Sequence, residues 1–107
     1  MEISNTYRTL RDKKSIDELF IQLKKKGYNQ KFRREPTGLY CIELKMWIKP
    51  DDFIVDEQYY FTEISRPDLD RIVCAITTKE GIKGMLVDTL GVYADNMSWE
   101  MIQKFGF

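Results

Sequence analysis

The spacing of apolar residues predicts one amphipathic helix near the start of the chain, over residues 16–26. Its apolar positions recur at intervals of three and four, which places them on one helical face: Ile16, Leu19, Phe20 and Leu23. Ser15 and Glu18 have the spacing of a capping box, so Ser15 is the predicted N-cap. Gly27 follows a run of lysines and is expected to end the helix in the left-handed conformation.

Alternation of apolar and polar residues predicts four strands in the rest of the chain. They are expected at residues 39–48, 53–64, 71–78 and 82–88. The alternation of the second strand is broken at residues 56–58, which indicates a β-bulge. Gly81 is expected at positive φ in the hairpin between the last two strands. Residues 28–34 are either a short strand or an extended loop.

The end of the chain predicts a second, shorter helix. Ser98 is its expected N-cap, the helix covers residues 99–105, and Trp99 and Ile102 are its predicted inward residues. The connections between the strands are too short for crossover helices, which favours an antiparallel meander. We therefore predict an α+β fold with a largely antiparallel four-stranded sheet, the order α-β-β-β-β-α and both helices on one face. The chain is expected to form one domain, in which residues 1–14 are a flexible arm.

The composition is that of a chain that can form a core without disulfides or metal. Of its 107 residues 43% are hydrophobic and 32% are charged, and the net charge is zero. Basic residues outnumber acidic ones by twelve to six in residues 1–50, and acidic residues outnumber basic ones by eleven to five in residues 51–107. This asymmetry indicates a dipolar surface, self-association or one basic patch, unless the two halves interleave in the fold.

Targeting signals are missing from the sequence. No apolar run approaches the roughly 18 residues of a membrane span. The first eight residues do not contain the apolar region of a signal peptide. We therefore expect a cytoplasmic location and no membrane contact.

The sequence contains no recognisable catalytic or metal-binding motif. It contains no histidine, which excludes Ser/His/Asp and Cys/His nucleophilic schemes. Cys41 and Cys74 do not have metal-binding spacing, and each lies in an apolar run typical of a buried free thiol. Glycine-rich phosphate-binding motifs are absent as well. We expect no catalytic residues, no cofactor, no metal and no enzymatic activity.

The densest basic segment, residues 24–34, is the main candidate binding site. Its predicted anion-binding residues are Lys24, Lys25, Lys26, Arg33 and Arg34. Tyr28 and Phe32 stand among them, and such a segment can neutralise phosphates while its rings stack on bases. The same lysines also suit the negative end of a helix dipole, so a solvated helix end is the alternative interpretation.

Residues 26–28, 50–53 and 83–95 carry a resemblance to a known family that spans most of residues 15–104. Residues 83–95, with the sequence KGMLVDTLGVYAD, are similar to the signature of a family of short, uncharacterised bacterial proteins often labelled phosphoribosylpyrophosphate synthetase. The positions that match the signature, and would form any shared site, are Lys83, Asp88, Tyr93 and Asp95. The enzyme in that label uses histidine and a pyrophosphate-binding loop, and this sequence contains neither. The resemblance therefore implies a fold and a bacterial cytosolic setting without an activity.

These observations favour a non-catalytic interaction or regulatory module, whose partner is a second copy or another protein. The predicted strands carry aromatic residues that would suit an exposed contact face: Trp47, Tyr59, Tyr60 and Phe61. The alternative is an anion-binding module for nucleotide or nucleic acid that uses the basic 24–34 segment. A small enzyme with a lysine, tyrosine or carboxylate as its active group is the least favoured hypothesis.

Overall fold

A computed structural model describes residues 7–10, 13–61, 71–89 and 97–106. In these ranges the α-helices and strands follow in the order β1 (Tyr7–Leu10), α1 (Lys13–Lys25), β2 (Gln30–Glu35), β3 (Gly38–Cys41), β4 (Met46–Ile48), β5 (Phe53–Phe61), β6 (Arg71–Thr78), β7 (Lys83–Thr89) and α2 (Trp99–Phe105). A 3₁₀ helix, Pro50–Asp52, joins β4 to β5. The predicted α+β class is therefore confirmed.

The strands of the described residues form one mixed sheet in the order β1-β5-β6-β7-β2-β3-β4. It consists of two antiparallel meanders, β5-β6-β7 and β2-β3-β4, which meet where β2 and β7 run parallel. β1 adds a second parallel pair beside β5. The predicted four-stranded antiparallel meander is thus only roughly right. It missed β1 within the predicted arm, and it assumed that strands adjacent in sequence are adjacent in the sheet.

The predicted long strand over residues 39–48 is wrong, because the chain turns back within it. β3 ends at Cys41, β4 begins at Met46, and these two residues are partners in an antiparallel hairpin. Residues 42–45 form the turn, and Lys45 adopts φ of 53° there. The alternating pattern misled the prediction because apolar residues continue through the turn, whereas the buried positions change from odd-numbered in β3 (Leu39 and Cys41) to even-numbered in β4 (Ile48).

Three local predictions are confirmed. The register of β5 against β6 shifts between Val55 and Glu57, which is the expected β-bulge. Gly81 adopts φ of 89° in the β6–β7 hairpin. The Ser98 hydroxyl accepts a hydrogen bond of 3.2 Å from the N–H of Met101 and caps α2. Each of these features depends on residues close together in the sequence.

The two helices cover opposite faces of the sheet, so the prediction that they share one face is wrong. Under α1 the buried residues are Ile16, Leu19, Leu23, Tyr28, Tyr59, Phe61, Val73, Ala75 and Met85. Under α2 they include Met101 and Phe105 together with side chains of six strands, β2 to β7. The predicted inward residue Trp99 is 67% exposed. Met101 and Phe105 face the core instead, since residues four apart lie on one face of a helix.

Helix α1 begins at Lys13, before Ser15, and so the predicted capping box is wrong. Its end is as predicted: Gly27 adopts φ of 98°. The N–H of Tyr28 donates to the carbonyl oxygen of Leu23 at 3.0 Å, the outer bond of a Schellman motif. This cap turns the chain from α1 toward β2 and fixes the position of Tyr28.

A polar network holds the end of α1 on the sheet. At the bulge in β5, both carboxylates contact residues at the end of α1: Asp56 contacts Tyr28, and Glu57 contacts Lys26. The Tyr28 hydroxyl donates to Asp56 Oδ2 at 2.8 Å, and the Thr77 hydroxyl donates to the same oxygen at 2.5 Å. The Lys83 ammonium nitrogen lies 4.4 Å from the centre of the Tyr28 ring. Tyr28 is thus fixed on its ring face and at its hydroxyl.

Two buried groups, Tyr28 of this network and the Cys74 thiol, predict that the protein loses stability at alkaline pH. Burial, followed by the hydrogen bond to Asp56, raises the pKa of Tyr28 from 10.0 to about 12. Burial likewise raises the pKa of the Cys74 thiol from 9.0 to about 12. Above their ordinary pKa values the unfolded chain loses these protons before the folded chain does. Each group therefore lowers the free energy of unfolding by up to about 1.4 kcal/mol per pH unit until its folded pKa is reached.

Urea unfolding at about pH 8 and at about pH 11 measures this loss. In Tyr28→Phe the decrease between the two pH values is expected to be smaller, because the phenol no longer titrates. An equally large decrease in Tyr28→Phe would show that the ionisation of Tyr28 does not contribute.

Candidate functional site

The predicted anion-binding residues do not form one cluster. Lys24, Lys25 and Lys26 are exposed at the end of α1, and the Lys26 ammonium lies 3.5 Å from a Glu57 carboxylate oxygen. Arg33 and Arg34 are neighbours on β2 and therefore point to opposite faces of the sheet. The structure thus separates the two arginines that the sequence places side by side.

Each of the two arginines has an acidic partner. Arg33 pairs with Glu35 and is exposed on the α1 face. The Arg34 side chain is only 6% exposed, and its Nε lies 2.9 Å from Asp88 Oδ2. Its guanidinium carbon also lies 5.7 Å from the centre of the Phe105 ring, so Arg34 is part of the packing between β2 and α2.

The candidates that came from the family resemblance are also apart. Lys83 points to the α1 face, where it donates to the carbonyl oxygen of Lys26 at 2.6 Å. Asp88 points to the α2 face and pairs with Arg34. Tyr93 and Asp95 lie outside the described residues. The described part of the signature therefore does not bring its polar residues to one site.

The two cysteines are confirmed as buried free thiols. Cys41 and Cys74 are fully buried in the core under α2. The raised pKa of Cys74, about 12, keeps its thiol protonated at neutral pH. A protonated, inaccessible thiol is a poor nucleophile.

Only part of the predicted aromatic face is exposed. Tyr59 and Phe61 are buried under α1, and Tyr60 is half-buried. Trp47, in contrast, is 50% exposed. The aromatic residue that is open to contact therefore lies on the β3–β4 hairpin and not on β5.

The hairpin carries further apolar side chains that the core does not use. Ile42 is 46% exposed and Leu44 is 45% exposed, and both lie in the turn between β3 and β4. Together with their neighbours on the α1 face they define what we term the hairpin surface: Arg33, Tyr40, Ile42, Leu44 and Trp47. Several large apolar side chains exposed together on a small fold indicate a contact surface.

Strand register aligns the centre of the hairpin surface. Arg33 is the partner of Tyr40, and Tyr40 is the partner of Trp47, so their side chains form a row across three strands. The Arg33 guanidinium carbon lies 5.0 Å from the centre of the Tyr40 ring. At Gly38 a Cβ atom would lie 3.0 Å from Cζ2 of Trp47, so this glycine makes room for the indole against β3. Cation–π contact and packing thus hold the row in place.

A groove with a volume of about 400 Å³ opens beside β4; we term it the edge groove. One wall consists of β4, and the other consists of Asp52, residues 78–80 and Ile82. The N–H of Lys79 donates to the carbonyl oxygen of Asp52 at 2.6 Å and ties the 3₁₀ helix to the β6–β7 turn. The sequence contained no signal for this groove, because its walls come from distant segments.

Comparison with known proteins leaves the chain without an assigned relative. No family model, curated protein or solved structure matches it. The resemblance in residues 83–95 therefore stays a prediction. Within the described residues, no group of three or more histidine, cysteine or acidic side chains could hold a metal ion. None of the helices described is both long and apolar enough to cross a membrane.

Proposed function

We propose that this protein is an interaction module that binds a partner protein through the hairpin surface. One observation carries the proposal: Ile42, Leu44 and Trp47 are about half exposed within one hairpin, while the core on both faces of the sheet is complete without them. Single exposed apolar side chains are common on protein surfaces, whereas several within one hairpin indicate a contact surface.

The chemistry of the central row suits a protein contact. Tryptophan, tyrosine and arginine are the residue types that contribute most to binding energy at protein interfaces. Arg33, Tyr40 and Trp47 bring all three together, and their mutual contacts reduce the entropy that binding would cost. Glu35 offsets the charge of Arg33, so the surface does not depend on a phosphate to neutralise it.

Another protein fits this surface better than a second copy. A stable interface covers about 800 Å² on each partner. Two copies that paired through their β4 edges would join strands of only three residues. Such a contact by itself covers far less than this area. A partner with its own concave surface could cover the α1 face of the hairpin together with its turn, since the other face is buried under α2.

The proposal is tested with matched pairs of exposed apolar residues. We expect Ile42→Ser with Leu44→Ser to lose its partner from a lysate of the source organism, measured by quantitative mass spectrometry of captured proteins. The control is Ile21→Ser with Ile54→Ser, which removes two isoleucines that are 55% and 58% exposed elsewhere. Both variants should retain stability within about 0.5 kcal/mol, because the changed residues are exposed. Equal capture by native protein and hairpin variant would refute the proposal.

Anion binding through the basic segment is the second candidate function. The observation in its favour is the row of Arg33 and Tyr40 beside Trp47, since aromatic rings next to a cation can stack on nucleobases. It predicts binding of a labelled single-stranded oligonucleotide that weakens steeply with salt and requires Arg33. The pairing of both arginines with carboxylates makes it the weaker candidate.

A further inference from the structure

Within the described residues, the sheet ends at β4 with an open edge. β4 is the last strand in the sheet order, and among the described residues its strand partner is β3 alone. The Ile48 carbonyl oxygen lies toward Gly38 of β3, where it would be 2.6 Å from a Cβ atom. Backbone groups alternate in direction along a strand, so the N–H and C=O of Trp47 face the open side. The edge groove lies along all three residues of β4.

The walls of the edge groove combine apolar and charged side chains. Met46, Ile48 and Ile82 supply apolar surface. The far wall carries Asp52 and Glu80 against the single cation Lys79, which leaves it with an excess of one negative charge. An occupant with a basic side chain therefore complements the groove, and an anionic one does not.

We propose that an extended, basic segment of the partner protein adds to the edge of β4 and occupies the edge groove. The inference rests on the proposed function, which supplies the partner protein, and it specifies how one segment of that partner binds. Main-chain hydrogen bonds to an open edge give affinity, and side-chain pockets give specificity. The volume of about 400 Å³ lies within the range of ligand sites, about 300–1,000 Å³.

The short edge limits what this contact can do alone. Three residues of β4 provide few main-chain hydrogen bonds, and natural edges are often kept short to prevent unselective pairing. The basic side chain supplies the selectivity, because only a cation gains from Asp52 and Glu80. The hairpin surface lies next to the groove through Trp47, so one partner can engage both.

Three blocked pentapeptides test the proposal against the intact protein, with backbone amide signals followed by NMR. The probe is Thr-Val-Arg-Val-Thr, the second peptide has Glu in place of Arg, and the third is the probe N-methylated at its three central amides. We expect the probe to shift the amide signals of residues 46–48 and 79–82 in a saturable way. The Glu peptide and the N-methylated peptide should each bind at least about tenfold more weakly.

Variants separate this inference from the proposed function. Asp52→Asn with Glu80→Gln should remove the preference for the Arg peptide over the Glu peptide, whereas Ile42→Ser with Leu44→Ser should leave peptide binding unchanged. Absence of saturable shifts up to about 10 mM, or equal binding of the N-methylated peptide, would overturn strand addition. Retention of the partner by the hairpin variant would instead refute the proposed function alone.

Discussion

Gly84→Ala is expected to lower the free energy of unfolding by about 3 kcal/mol, since it forces apart strands that have no room to move. A Cβ atom at this position would lie 2.5 Å from the Gln30 carbonyl oxygen and 2.8 Å from the Phe32 ring. Gln30 is the register partner of Gly84, and this pair begins the parallel contact of β2 with β7. Separation of the two strands would weaken the β2–β7 pairing, which is the seam that joins the two meanders.

Gly81→Ala is the matched control for this substitution. No heavy atom lies within 4 Å of a Cβ built at Gly81. Its positive φ makes alanine cost about 1–2 kcal/mol without any clash. Urea unfolding of both variants should give the larger loss for Gly84→Ala. Equal losses would mean that β2 and β7 can adjust their spacing.

Arg34→Met is expected to destabilise the protein by about 3 kcal/mol, because it removes the guanidinium that faces Asp88 at a partly buried site. The Arg34 side chain is 6% exposed and that of Asp88 is 33% exposed, so solvent only partly compensates the carboxylate. Arg33→Met, one residue away, should change stability by less than about 1 kcal/mol, since Arg33 is 60% exposed and its ion pair is screened by water.

A double variant shows whether the charge is responsible. Arg34→Met with Asp88→Asn should recover part of the stability that Arg34→Met loses, as expected when the lost charge interaction between Arg34 and Asp88 is the cause. Equal losses in Arg33→Met and Arg34→Met, by urea unfolding, would contradict this account. The two single variants also test anion binding, because of the two arginines only Arg33 is accessible to a ligand.

Local features of the fold could be predicted from the sequence. The Gly27 end of α1, the bulge near Asp56, the positive φ of Gly81 and the Ser98 cap all depend on residues within one turn or one strand. The parallel pair of β2 and β7 could not be predicted, since it depends on Gly84 meeting Gln30 across a long stretch of chain. No local sequence pattern predicts a pairing between strands so far apart in the chain.

The candidate site was less predictable than the fold. Arg33 and Arg34 formed one basic pair in the sequence, but the pleat of β2 placed one on the surface and the other between the sheet and α2. Ile42 and Leu44 lie in the apolar alternation of the predicted strand over residues 39–48, yet both are about half exposed, because apolar character alone does not reveal exposure. Trp47 was named among the aromatic contact residues, and its exposure supports that part of the prediction.

The seam between β2 and β7 also bears on how the protein folds. Each antiparallel meander can form from contacts close in sequence, whereas Lys31 must pair with Met85 across about half of the chain. Closing a long loop costs entropy before any new contact compensates for it, which slows folding. We expect the seam to form late, as the step that unites two locally formed halves. A chain that has not completed this step would expose the unpaired edges of β2 and β7 to other chains.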